Sequence, residues 1–253
     1  MSLSPSQVEE YWREGFVRLP RLFEPEQLAR WEDRFEDIAL ERVPRPEKMI
    51  LMEDIMVAKG AVRPADRLEG IHKLLSFEDD PVLMEYAQAA NLVAAVRRLI
   101  GHSLMTISSN VFNKPPGLDG RHPLHQDLRY FALRPAEKIV ATWTAISACD
   151  RGNGCLAVIP RSHRGPLRTH GTPEWDYVNF GFFAIEEIDT SKRVHIPMDP
   201  GDTLLFHPLL VHGSGRNRSR GFRRAISAHF ASVDCTRPDR PQKRQPVMRR
   251  IPD

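Results

Sequence analysis

Over the first hundred residues apolar side chains recur at intervals of three and four, the spacing of one helical face. The first such helix opens at Ser4. There Ser4-Pro5-Ser6-Gln7 joins an N-cap, a proline at the first helical position and the glutamine of a capping box. Gly15 supplies the left-handed residue that closes it. Phe16-Val17-Arg18-Leu19 then alternates with period two, as a short strand does. A second helix is expected over 24–42, with Leu28, Trp31, Phe35 and Ile38 along one stripe that core packing explains. Pro44, Pro46, Gly60, Pro64 and Gly70 punctuate 44–72, which therefore reads as an irregular lid or binding segment. Its Met49, Met52 and Met56 suit either an adaptable apolar wall or core filler. A third helix, over 81–99, carries Leu83, Tyr86, Ala87, Ala90, Ala94 and Leu99 and stops at Gly101.

Beyond Gly101 the period changes to two. Strands are expected at 103–112, 124–131, 138–147, 154–159, 193–197, 202–206 and 223–232, separated by Gly, Pro, Asn and Asp turns. Asp199-Pro200-Gly201-Asp202 feeding Thr203-Leu204-Leu205-Phe206 is a particularly clear hairpin signal. The stretch 160–190 reads as a long loop over one mouth of the sheet structure. Helices first and many strands after give an α+β chain: a double-stranded β-helix (jelly-roll, cupin-like) core with N-terminal helices packed on one sheet. One domain is expected over 1–235, helical to residue 101 and jelly roll from 102. Residues 236–253 read as a loosely packed, basic, proline-rich tail.

Composition narrows the class only a little. With 253 residues, 41% of them hydrophobic, 27% charged and a net charge of +3, the chain is too weakly basic to argue for nucleic acid. It has no apolar run approaching the 18 residues of a membrane span. Three widely spaced cysteines (Cys149, Cys155, Cys235) read as free thiols in a reducing compartment. With no secretory, mitochondrial or C-terminal peroxisomal signal evident, a cytoplasmic location is the expectation. Nothing in the sequence bears on oligomeric state.

The chemistry gathers at His125-Gln126-Asp127 and at His212. Two histidines and one carboxylate, two of them spaced i and i+2 on an expected strand and the third remote, suit a facial-triad iron(II) site. Alone, His-x-Asp is a common triplet. His212 gains weight from its place, after the apolar run Pro208-Leu209-Leu210-Val211 and before a glycine-rich turn. Eleven residues later comes Arg223, opening the strand-like 223–230. An arginine fork facing the same cavity would hold a carboxylate bidentately, which suits the distal carboxylate of 2-oxoglutarate. Arg224 falls on the opposite face of that strand. His72, His102, His163, His170 and His195 read as surface or core residues. His207 and His229, flanking the second segment, are candidates for hydrogen-bonding the ligands.

Three blocks sharpen this picture: Asn113-Lys114-Pro115-Pro116 leading to Arg121-His122-Pro123-Leu124-His125-Gln126-Asp127-Leu128, then Gly201-Asp202-Thr203 through Phe206 to Gly215, and Gly221-Phe222-Arg223 through Ser232. In these the chain resembles the phytanoyl-CoA dioxygenases, a family of iron(II)- and 2-oxoglutarate-dependent oxygenases. The resemblance implies His125, Asp127 and His212 as iron ligands and Arg223 as the oxoglutarate anchor. It also implies Ser214 beside that carboxylate, Trp143 lining the cosubstrate pocket and Lys73 touching oxoglutarate. Asn110 stands where the similar enzymes carry an apolar pocket residue; with Gln126 it completes the cosubstrate-site candidates. The implied cofactors are iron(II), 2-oxoglutarate and dioxygen, with ascorbate as a stimulant. The implied reaction is hydroxylation of an aliphatic carbon, at C2 of a branched fatty acyl-CoA, with release of succinate and carbon dioxide.

Three alternatives stay open on the sequence: the same chemistry on a free small molecule or secondary metabolite, a halogenase, or a silent jelly-roll binding module. Asp127 argues against a halogenase, which needs room for halide where the carboxylate stands. The complete set of His125, Asp127, His212 and Arg223 argues against a silent module. For CoA phosphates the chain offers Arg63, Arg67, Arg161, Arg164, Arg168 and the tail arginines, among which spacing does not choose.

Overall fold

Ser4 caps the first helix in both directions: its hydroxyl accepts the Gln7 amide at 3.3 Å, and the Gln7 side chain accepts the Ser4 amide at 2.9 Å. This helix, α1 (Pro5–Glu14), ends at Gly15 with φ 88°. The computed structural model describes residues 2–237 and 247–252. After β1 (Phe16–Leu19) comes α2 (Pro25–Ala39), which buries Leu28, Trp31, Phe35 and Ile38 as its stripe requires. Trp31 packs edge-on against Phe23 and Tyr86, with ring centroids 5.0 and 5.3 Å away.

Two expectations for the N-terminal part need correction. The stretch 44–72 is not irregular: it holds β2 (Ile50–Glu53), α3 (Ile55–Ala58), α4 (Arg67–Gly70) and the start of β3 (Ile71–Leu75). Asp54 and Asp66 cap the two short helices by accepting the amides of Met56 and Glu69. Elements of four or five residues are too short to show a period. The expected helix 81–99 is two helices, α5 (Pro81–Gln88) and α6 (Ala90–Ile100), broken at an extended Ala89 with ψ 124°. Neither Ala89 nor Ala90 is a breaker. A tertiary anchor sets the new start: the Asn91 amide holds the Leu22 carbonyl while its oxygen accepts the Leu92 amide.

The remaining strands are β4 (Leu104–Lys114), β5 (His122–His125), β6 (Ile139–Ala145), β7 (Leu156–Val158), β8 (His170–Gly171), β9 (Ala184–Ile185), β10 (Val194–Ile196), β11 (Thr203–Phe206), β12 (His212–Ser214), β13 (Arg223–Ser232) and β14 (Arg249–Arg250). A large antiparallel sheet runs β1-β11-β6-β13-β4-β3-β2, with β14 also on β4. A four-stranded sheet runs β10-β7-β12-β5, and β8 pairs β9 within the 160–190 region read as loop. Period two assigns the faces of the large sheet. Val111, Val140, Leu205, Ile226, Ala228 and Phe230 pack with Trp31, Phe35, Leu92 and Val96 of the helices. Trp143, Leu204, Phe206 and Ala225 instead meet Leu156 and Val158 of the smaller sheet. The result is the expected jelly roll with helices on one sheet. At the far end β14 binds β4 and Ile251 is buried, so the tail is not loose over its described part; residues 238–246 lie outside the described residues.

Glu78 is buried after β3, and burial pushes its carboxyl from 4.5 up to about 7. Between those two values the folded chain keeps a proton that the unfolded chain has released, so stability falls as pH rises through this window. Glu78→Gln is expected to raise the melting temperature at pH 8, by at most about 3 kcal/mol of stability, and to change little at pH 4. Thermal denaturation at the two pH values checks this; equal effects at both would rule it out.

Candidate active site

β5 ends on His125 and β12 begins on His212, and the antiparallel pairing sets the two directly opposite each other. Their ring centroids are 4.3 Å apart. The His125 Nδ1–H donates to the Pro123 carbonyl at 2.8 Å, and the His212 Nδ1–H to the Leu210 carbonyl at 3.0 Å. Each bond reaches back two residues along its own chain. With Nδ1 so occupied, both rings aim Nε2 at a common point. Burial pushes the His212 imidazole down to about 4, which keeps it neutral and able to ligate.

Asp127 completes the cluster by a different route from the one its spacing suggests. The expected strand 124–131 stops at His125, and Asp127 opens a 3-10 turn (Asp127–Arg129). The bend after Gln126, not strand alternation, brings Oδ1 to 3.2 Å from His125 Nε2 and 3.6 Å from His212 Nε2. The Asp127 Oδ2 accepts from His229 Nε2 on β13 at 2.7 Å, so one oxygen is tethered and the other faces the histidines. Burial alone would raise the Asp127 carboxyl; His212, His229 and the hydrogen bonds from His125 and His229 hold it well below the usual range. One donor atom from each of His125, Asp127 and His212 lies within 4.8 Å of the others, the one such cluster among the described residues.

These residues line a cavity of about 450 Å³ between the sheets. Trp143, Lys73, Asn110, Ser214 and Arg223 all face it, as five of the six cosubstrate candidates should. Gln126 does not. Its amide holds the Leu209 and Pro166 carbonyls and its oxygen accepts the Arg168 amide, so it fastens loops beneath the site. The bend that turns Asp127 inward turns Gln126 away. Arg223 is 2% exposed, with its guanidinium 5.4 Å from the Trp143 ring. Among the described residues its Nε and Nη1 have no hydrogen-bond partner. Arg224 points to the helices, where Glu32 and Glu36 of α2 receive it beside Asn113 of β4.

Of the two flanking histidines, His229 binds a ligand and His207 does not: His207 packs with Tyr11, Trp12 and His163 beside α1. His163 meets the Trp12 carbonyl and His170 accepts the Gln126 amide, both structural roles. Burial, first of all, lowers the Lys73 ammonium to about 8, with Asp127 pulling the other way; the ammonium lies over Phe112 and Phe182. Reading the sequence missed His122, which lines the cavity with its ring 4.0 Å from Phe182 and 5.4 Å from buried His72. It also missed Lys114. A period of two from Asn110 through Phe112 would have found it on the cavity face.

The donor set fits a hard-to-borderline divalent ion that keeps open positions for a chelating ligand. A buried guanidinium with free donors in the same cavity fits a carboxylate at the far end of that ligand. Fold comparisons agree in architecture. EctD from S. alaskensis in its apoform superposes with a TM-score of 0.72 at 18% identity, over 94% of this chain and 82% of that one. The epimerase SnoN in complex with Fe3+, alpha ketoglutarate and nogalamycin RO gives 0.68 at 20%, over 96% and 92%. Fold and donor cluster together define a jelly roll with a buried two-histidine, one-carboxylate metal site.

The sequence profile described as Phytanoyl-CoA dioxygenase (PhyH) matches residues 11–225. A probable phytanoyl-CoA dioxygenase of Caenorhabditis elegans is 43% identical over 93% of this chain and 77% of that protein. The peroxisomal phytanoyl-CoA dioxygenase of Homo sapiens is 39% identical over 92% and 70%. The chain belongs to the phytanoyl-CoA dioxygenase family.

Proposed function

We propose that this enzyme hydroxylates C2 of a fatty acyl-CoA, with iron(II) held by His125, Asp127 and His212 and 2-oxoglutarate anchored by Arg223. One observation carries the cosubstrate half: a buried guanidinium with two undirected donors facing the same cavity as the three ligands. When bound, iron and oxoglutarate supply dioxygen activation, with succinate and carbon dioxide as coproducts. The chain's own residues do the rest. Trp143 supports the Arg223 plane, and Ser214, Lys73 and Asn110 add polar contacts along the cosubstrate. Ile50, Met52 and Leu75 form an apolar wall that suits an alkyl chain and keeps water from the reacting carbon.

The acyl-CoA half is supported by the relatives at about 40% identity, which are named as phytanoyl-CoA dioxygenases. Of the arginines considered for CoA phosphates, three are engaged elsewhere: Arg67 by Glu41, Arg161 by Glu14 and Arg164 by the Arg13 carbonyl. Arg249 of the tail pairs with Asp79, which leaves Arg63, Arg168 and the other tail arginines of the set. Succinate formation across a panel of acyl-CoAs and the matching free acids tests the substrate. Stimulation by branched and straight thioesters above the free acids is expected; stimulation by free acids or none by any thioester overturns it.

A further inference from the structure

We infer that Lys114 is a positioning residue for the cosubstrate, delivering positive charge to its distal carboxylate through the Ser214 hydroxyl. The inference rests on the oxoglutarate reading above and deepens it. Lys114 is the last residue of β4 and lies directly opposite Arg223, the first residue of β13. It is 1% exposed, so the sheet buries two cationic side chains next to each other at one end of the cavity. That is a costly arrangement unless an anion joins them.

The Lys114 ammonium donates to the Ser214 Oγ at 2.7 Å and to the Gly215 carbonyl at 2.5 Å. A hydroxyl that already accepts from an ammonium presents its own O–H as a donor, and the polarisation strengthens that donor. Ser214 lines the cavity with Arg223, so this O–H can meet a carboxylate that Arg223 grips from the other side. Burial and the neighbouring Arg223 push the Lys114 ammonium down; Asp119, which acts against that, is itself shared by Arg121 and Arg216. Positive charge therefore exceeds negative at this end. A second carboxylate on the cosubstrate restores the balance; a methyl group in its place cannot.

The test compares 2-oxoglutarate with 2-oxopentanoate, which keeps the chelating end and replaces the distal carboxylate by methyl. Binding to the zinc(II)-loaded protein is read by titration calorimetry. The wild type should prefer 2-oxoglutarate strongly. Lys114→Met should cut 2-oxoglutarate affinity about tenfold or more and leave 2-oxopentanoate unchanged, as loss of a charge-assisted contact predicts. In a Ser214→Ala background the same substitution should have little further effect. Equal losses for both ligands would mean a merely structural lysine, and an unchanged preference would remove the role altogether. If Lys114→Met does not fold, Ser214→Ala alone must narrow the preference by about the same tenfold, and an unnarrowed preference there overturns the role. A wild type that does not distinguish the two ligands overturns the oxoglutarate reading itself, and this inference with it.

Discussion

Asp127→Ala abolishes turnover and the weak visible charge-transfer band expected when the protein is mixed anaerobically with iron(II) and 2-oxoglutarate. Asp127 supplies the one anionic donor of the cluster, and two neutral imidazoles bind a divalent ion far more weakly than a set with a carboxylate. The substitution also strands His229, whose Nε2 has the Asp127 Oδ2 as its partner. Loss of outer partners alone lowers metal affinity about 10- to 100-fold in comparable sites, so loss of the ligand should exceed that. A full-strength band in the variant would overturn the metal assignment.

Arg223→Met separates binding from stability. The guanidinium is buried with two donors undirected, so in the free protein it is a desolvated charge without compensation. Burial lowers its affinity for its proton, with Cys149 and Cys155 acting against that shift. A methionine of similar reach removes this cost, and the free protein should melt at the same or a higher temperature. The cosubstrate meanwhile loses a bidentate charged contact of about 3 kcal/mol, which is roughly a hundredfold in affinity. Thermal melts without ligand and calorimetric titration with 2-oxoglutarate read the two effects. A lower melting temperature with unchanged affinity would make Arg223 a structural residue. Lysine should not rescue the affinity, because a point charge lacks the fork.

How well the sequence foretold the structure follows the physical range of each signal. The capping box at Ser4 and the stripe through Trp31 and Phe35 are local, and they stand as read; the turn before Thr203 makes no hairpin, because β10 joins the smaller sheet and β11 the larger. The opposed faces of Arg223 and Arg224 follow from strand alternation alone, and their partners confirm them. What failed depended on contacts distant in sequence. The break at Ala89 is set by Asn91 reaching the Leu22 carbonyl, and no residue at the break announces it. β2 and β3 looked irregular because each becomes a strand only by pairing, β3 with β4 and β2 with β3. Asp127 was assigned to the right cluster for an incomplete reason, since a turn and not a strand aims it. Gln126 was lost to the same turn. Lys114 sat in a quoted block without a role, because its meaning comes from standing across from Arg223.

The opposition of His125 and His212 has a mechanical side. β5 has four residues and β12 three, so the pairing that brings the two ligands together rests on very few ladder bonds. An ion gripped from both strands acts there as a staple, closing a long loop of chain at a short seam of the jelly roll. Loading the site and locking the smaller sheet then become one event. Opening of that sheet, the local fluctuation most able to spill the ion, is suppressed by the ion itself.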